Sequence, residues 1–387
     1  MNQTTFSRRR FASGLALAVG GLATSAGRNL LAQSRDPSTM SPTQRMSPDE
    51  YDAIVKLCFN ENPYGPPASV MQAMQSAFKY SNRYAYPDGG LLKAIAAHHG
   101  VKPENILIGA GSTEILCIAG DTFLGPGKKV IGVEPTFDSV YGHATGLKAE
   151  AIRLPLRADF QQDIPAMIQA AKDHAGEVGF IYLCNPNNPT GAIVTKDEVK
   201  QLLDGIPENI PVLIDEAYHH FAENPNYATS DHFVTEGRPV LVTRTFSKIA
   251  ALAGMRLGYG LAPAKMIEQM RPYSDSMSVN ALVKFAGGAA LKDTAAAERV
   301  RREIIGTRQK TISELDNLGY KVIPSEANFF MVDIRRDVHP VITAFREHGI
   351  LVGRPFPPLL KHLRVSVGTP DEMGRFLSAF KSIVATA

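Results

Sequence analysis

The chain has 387 residues, 44% of them hydrophobic, and a formal net charge of +3. That is enough for one large or two medium domains with a buried core, and too balanced for the basic footprint of a nucleic-acid binder. Cys58, Cys117 and Cys184 are odd in number and lack C-x-x-C spacing, and the adjacent pairs His98-His99 and His219-His220 lack chelating spacing, so neither a disulfide framework nor a metal site is expected.

The chain begins with Ser7-Arg8-Arg9-Arg10-Phe11 ahead of an uncharged stretch, 12–27, rich in Ala, Gly and Leu. A basic segment before a short apolar one is a secretory signal pattern, and paired arginines before Phe fit the twin-arginine type. Residues 1–32 are therefore expected to engage the twin-arginine export machinery, with Thr24 and Ala26 as small residues for cleavage. The apolar part is short for a bilayer span, so no stable membrane anchor is expected. The expected location is periplasmic or secreted; if 1–32 were no signal, the protein would stay cytoplasmic.

Residues 33–49 are rich in Ser, Pro and Thr without periodicity, and read as the start of a linker or arm spanning 33–80. Within it, Asn60-Glu61-Asn62-Pro63-Tyr64-Gly65 makes a polar loop after a short apolar run. Residues 69–80 carry apolar side chains at helical spacing, and 91–98 resume that pattern after Tyr86-Pro87-Asp88-Gly89-Gly90. Ile106-Leu107-Ile108 reads as a strand running through Gly109-Ala110-Gly111-Ser112-Thr113-Glu114 into a helix. Such a glycine turn aims free N–H groups and the positive helix end at an anion. It also raises the alternative of a dinucleotide fold and an NAD-linked oxidoreductase, with Glu134 near the ribose-binding position. Glu114 stands where that fingerprint wants Gly or Ala.

Continuous apolar runs at 130–133, 180–183, 212–214 and 239–242 alternate with helical patterns, one opened by the capping box of Thr195 and Glu198. This is an α/β domain with a mostly parallel central sheet, expected over 81–275, whose ligands gather at the strand C-termini. Asn185-Pro186-Asn187-Asn188-Pro189-Thr190-Gly191 follows one strand, Asp215-Glu216-Ala217-Tyr218 the next, and Thr245, Ser247 and Lys248 the third, with Arg256 beyond. Singly these are an Asn-Pro turn, a helix cap and a surface Ser-Lys pair. Together they put an amide, a carboxylate, a phenol, an amine and a guanidinium on one sheet edge.

That set meets the needs of pyridoxal 5′-phosphate. Lys248 supplies the Schiff-base amine and then the base for the substrate α-proton. Asp215 holds the pyridine nitrogen protonated, and Tyr218 and Asn188 donate to the ring's phenolic oxygen. Gly111, Ser112, Thr113, Thr245, Ser247 and Arg256 are expected around the phosphate, and Phe137 against the ring face. The remaining segment, 276–387, reads as a smaller α/β domain with a long helix near 295–318 and strands at 329–332 and 363–367.

Motifs over nearly all of the chain after 1–32 resemble the class I/II aminotransferases, most closely the histidinol-phosphate aminotransferase group: N-E-N-P-Y-G at 60–65, Y-P-D-G-G at 86–90, N-P-N-N-P-T-G at 185–191, D-E-A-Y at 215–218, and T-F-S-K at 245–248 with Arg256. The resemblance implies the type I fold of aspartate aminotransferase and a homodimer in which Tyr86 reaches the neighbouring subunit's cofactor phosphate. It implies an amino donor and a 2-oxo acid acceptor as partners, with Arg364 in L-R-V-S-V-G holding the α-carboxylate. Asn62, Tyr64 and Arg354 are the expected contacts to the rest of the substrate, although Gly353 adds a residue before Arg354. A decarboxylase or cyclising enzyme of the same fold is the near alternative.

Overall fold

A computed structural model describes residues 43, 46–275 and 277–385. The arginine-led segment 1–32 lies outside the described residues. Contacts separate a unit Met1–Val55 from a unit Lys56–Ala387. In the first, the helix Pro48–Ala53 starts at Ser47, whose hydroxyl accepts from the Glu50 N–H while the Glu50 carboxylate accepts from the Ser47 N–H. This capping box gives structure to the end of a stretch whose composition reads as linker.

The second unit is built on a seven-stranded sheet. In chain order its strands are β1 (Ile106–Gly109), β2 (Lys129–Glu134), β3 (Glu150–Pro155), β4 (Val178–Cys184), β5 (Val212–Asp215), β6 (Val240–Thr245) and β7 (Gly258–Leu261). Their spatial order is β1-β7-β6-β5-β4-β2-β3, with β3, β2, β4, β5 and β6 parallel and β7 antiparallel to both its neighbours. Every residue of β4, β5 and β6 is buried, so these strands read as apolar runs until the polar C-terminal ends of β5 (Asp215) and β6 (Thr243-Arg244-Thr245).

β3 and β7 escape that reading for opposite reasons. β3 is an edge strand whose residues are all at least partly exposed, and Arg153 and Glu150 interrupt its apolar pattern. β7 is buried but half glycine. A Cβ at Gly258 would lie 2.3 Å from the Ser112 nitrogen, and one at Gly260 2.8 Å from Ile115. Glycine there lets the helix Ser112–Phe123 press its first turn onto the sheet.

Pairing of Cys184 with Asp215, and of Asp215 with Thr243, brings three strand ends level. The last part of the chain adds the 24-residue helix Thr294–Asn317 and an antiparallel pair, β8 (Phe329–Asp333) with β9 (His362–Ser366). Arg364 stands opposite Met331 in that pair.

Candidate active site

At the level strand ends, Ser112, Thr113, Phe137, Asp215, Tyr218, Thr245, Ser247, Lys248 and Arg256 line one cavity of about 170 Å³. Asp215 and Thr245 end strands, Ser112 and Thr113 open a helix, and the others lie in the loops between, where the backbone leaves the sheet and releases side chains into a crevice.

Lys248 lies three residues past the end of β6. Its amine donates to the Phe59 carbonyl at 3.1 Å and sits 5.6 Å from the centre of the Tyr218 ring. Burial, with the Arg364 and Arg256 charges, brings the amine down to about 8, although Glu61 and Asp215 pull the other way. A lysine so placed releases its proton far more readily than one in water, as a nucleophile and proton carrier must.

Asp215 is 3% exposed. It accepts from the Thr243 hydroxyl at 3.0 Å and, more weakly, from the Tyr182 hydroxyl at 3.4 Å. Burial raises its pKa to about 6 against those bonds. A carboxylate desolvated to this degree, with no cation within ion-pair distance among the described residues, is a receptor for a positively charged N–H.

The Tyr218 hydroxyl accepts from the Asn60 amide at 3.1 Å and, at the limit, from the Asn188 amide at 3.5 Å. With both acceptor positions used, its own O–H is left to point into the cavity. Asn188 in turn accepts from Arg364 at 2.7 Å, and Arg364 also donates to the Cys58 carbonyl. The Arg364 Nε is buried and unpartnered, and burial lowers the guanidinium to about 10. Its face lies 4.6 Å from the Phe356 ring centre.

An anion cradle closes the opposite end. Thr245 donates to Ser247 at 2.9 Å, and Arg256 lies 3.5 Å from the same hydroxyl. Gly111 has φ +89°, and a Cβ there would lie 2.2 Å from Arg256 Nη2. Thus the glycine, the helix N-terminus after it and the guanidinium form one pocket that no other residue type would leave open. Glu114 turns back to accept from the Ala110 N–H at 2.5 Å, so the third small residue of a dinucleotide turn is replaced by a carboxylate that braces the loop.

A family model described as aminotransferase class I and II matches residues 52–380. The chain belongs to the class I and II aminotransferases. Histidinol-phosphate aminotransferase from Moorella thermoacetica is 37% identical to it, over 86% of each chain. The protein of the same name from Symbiobacterium thermophilum is 36% identical, over 85% of this chain and 90% of its own. A solved histidinol-phosphate aminotransferase from Sinorhizobium meliloti, in complex with pyridoxal-5′-phosphate, superposes with a TM-score of 0.81 at 25% identity, covering 90% and 98% of the two chains.

This aminotransferase therefore uses pyridoxal 5′-phosphate to move amino groups, and it has the aspartate-aminotransferase type of α/β fold. Its residues fit that cofactor on their own terms. The cradle at Gly111 and Arg256 suits a phosphate, the unpaired buried Asp215 suits a protonated ring nitrogen, and the Lys248 amine lies between them.

The remaining expected residues lie at the margin. Tyr86 donates to the Val279 carbonyl and is stacked by Lys284, away from its own chain's cavity. Asn62 donates to the Ile249 carbonyl at 2.9 Å, which ties the N-terminal loop to the Lys248 loop. Tyr64 lines a separate cavity of about 350 Å³ with His98, His219, His220 and Arg244; burial and the Glu303 carboxylate raise its pKa. Arg354 pairs with Asp138 at 2.9 Å on the surface and lies 4.3 Å from the other ring contact of Arg364, Phe356. Asn60, Phe59, Thr243 and Tyr182 have no role that local sequence reveals, because their partners become visible only once strand ends and loop are aligned.

Proposed function

We propose that this aminotransferase accepts an amino acid or an amino alcohol phosphate such as histidinol phosphate as donor and a 2-oxo acid as acceptor, with Lys248 as the amine that carries the reaction. The observation that carries the assignment of roles is the alignment of Lys248, Asp215 and Tyr218 around one cavity that ends in the Gly111–Arg256 cradle. The names of the relatives support histidinol phosphate as the first donor to try.

The cofactor, when bound, supplies an electron-accepting ring that makes the substrate's α-C–H bond acidic. The chain's residues do the rest. Ser112, Thr113, Thr245, Ser247 and Arg256 hold the phosphate, Asp215 keeps a proton on the ring nitrogen, and Tyr218, steadied by Asn60 and Asn188, donates to the phenolic oxygen. Lys248 takes and returns the α-proton, while Phe137 covers the ring. Arg364 offers its fork to a carboxylate, and Arg354 and Asn62 border the substrate entrance, while Tyr64 faces the neighbouring cavity.

Class I and II aminotransferases form homodimers, and in this reading Tyr86 completes the phosphate site of the neighbouring subunit. A boundary near 275 separates the cofactor-binding domain from the smaller C-terminal domain. The segment 1–32 acts as a twin-arginine signal that takes the folded protein to the periplasm. Its arginine pair and uncharged 12–27 stretch support this, as does a family match that begins only at residue 52.

Borohydride treatment of the purified holoprotein tests the central assignment. Mass spectrometry of the digested protein is expected to find the reduced cofactor on Lys248, and recovery on another residue would overturn the reading. For export, Arg8→Lys with Arg9→Lys is expected to retain precursor in the cytoplasm; unchanged export would refute the signal.

A further inference from the structure

Of the five residues 58–62, Phe59 and Glu61 line the cavity, and nearly every polar group on the segment is committed. The Cys58 carbonyl accepts from Arg364, the Phe59 carbonyl from Lys248 and the Asn60 carbonyl from Asn328. The Asn60 side chain donates to Tyr218 and accepts from Ser366 at 2.8 Å, and Asn62 reaches Ile249. Asn60 takes φ +54°, a left-handed turn that swings the next residue toward the cavity. That residue is Glu61.

Glu61 lines the cavity beside Lys248, Asp215 and Arg256. Its backbone carbonyl accepts from Asn328 at 3.3 Å, yet its carboxylate has neither hydrogen-bond donor nor ion-pair partner among the described residues. The charge is felt by Lys248 on one side and by Cys58, the backbone partner of Arg364, on the other. So a free carboxylate lines the cavity within electrostatic reach of the amine that must be exchanged, on a strap whose first residue holds the guanidinium suited to the substrate's carboxylate.

We propose that Glu61 is the substrate-binding group that receives the incoming donor's ammonium, together with the Phe59 carbonyl. An α-amino acid carries its ammonium and its carboxylate on the same carbon, and a paired receptor of opposite polarity would orient it with its nitrogen toward Lys248. The 2-oxo acid acceptor has no ammonium and gains nothing from Glu61. The inference rests on the aminotransferase reading and deepens it by giving the donor and the acceptor different contacts within one site.

The test is Glu61→Gln, which keeps shape and removes charge, followed in each half-reaction separately with matched pairs: L-glutamate with 2-oxoglutarate, and L-phenylalanine with phenylpyruvate. The KM for the amino acid is expected to rise about tenfold, as loss of a charge-assisted bond at a half-open site implies, with the oxo acid's KM changed less than about twofold. Glu61→Asp is expected to recover part of the loss. A second readout is calorimetric binding to borohydride-reduced protein: Glu61→Gln should weaken L-glutamate and leave glutarate unchanged. Equal effects on both members of a pair, or no effect on either, would overturn the assignment to Glu61 while leaving transamination intact. A wild-type holoprotein that exchanges nitrogen with neither pair nor with L-histidinol phosphate would instead overturn the reading on which it rests.

Discussion

The Asn60 amide donates to the Tyr218 hydroxyl at 3.1 Å, across 158 positions of sequence. By filling an acceptor position on that oxygen, it leaves the phenolic proton facing the cofactor. Asn60→Ala should let the Tyr218 ring swing and lose about 1 kcal/mol of bonding in the site, equivalent to roughly a fivefold fall in kcat/KM. Steady-state kinetics with either half-reaction checks this, and a fall of less than twofold would show that Tyr218 needs no brace.

Asp215 is held against its own solvation. Its pKa is about 6 in the folded, cofactor-free protein, above the value of 3.8 for an ordinary aspartate. Between those values the native state binds the proton that the unfolded state has lost, so stability falls as pH rises from 3.8 to 6 and stays low above it. The cost above pH 6 is on the order of 3 kcal/mol. Asp215→Asn should therefore raise the melting temperature of the cofactor-free protein at pH 7.5, narrow that gain near pH 4, and weaken cofactor binding at both. Scanning calorimetry with and without pyridoxal phosphate measures all three.

For Lys248 the sign is opposite. Its amine falls to about 8 from 10.5, so between those values the unfolded chain holds the extra proton and stability rises with pH. In the cofactor-free protein, the rate at which Lys248 reacts with an acylating reagent should climb with a midpoint near 8. Arg364→Gln removes a neighbouring positive charge and should move that midpoint upward. A midpoint that stays put would mean that burial alone sets it.

Gly111→Ala places a methyl group 2.2 Å from Arg256 Nη2, at a φ of +89° that L residues avoid. Either the guanidinium or the turn must move, and the phosphate cradle opens. Fluorescence titration of the cofactor-free variant should show pyridoxal phosphate bound at least about tenfold more weakly, corresponding to about 1.4 kcal/mol. Unchanged affinity would remove the phosphate from this cradle.

Arg364→Lys keeps the charge but loses the fork that reaches Asn188 and the Cys58 carbonyl. The KM for a 2-oxo acid should rise at least about tenfold, with kcat less affected. Rescue to wild-type values by lysine would mean that charge alone, without the planar geometry, serves the carboxylate.

Much of this was legible in the chain because the buried parallel strands open with apolar residues and gather their polar ones toward the C-terminal end, as Asp215 and Thr243-Arg244-Thr245 do. Asp215, Thr245 and Lys248 stand out as polar groups directly after apolar runs, and the crevice at strand ends follows from that pattern. Thr243 and Tyr182 did not stand out, since they lie inside strands and matter only through the register that sets Thr243 beside Asp215. β7 was hidden by its glycines and β3 by its charges. Asn60 and Glu61 stand side by side in one polar motif, and no local rule says which of two polar neighbours a left-handed turn will aim inward.

The strap at 58–62 meets Lys248 189 positions later and Arg364 306 positions later than the residues they touch. Its bonds to Arg364 and Ser366 close only once the final strand is in place, whereas the phosphate cradle is complete by Arg256. The last stretch synthesised therefore adds a clasp over the substrate side of a coenzyme seat assembled from earlier sequence.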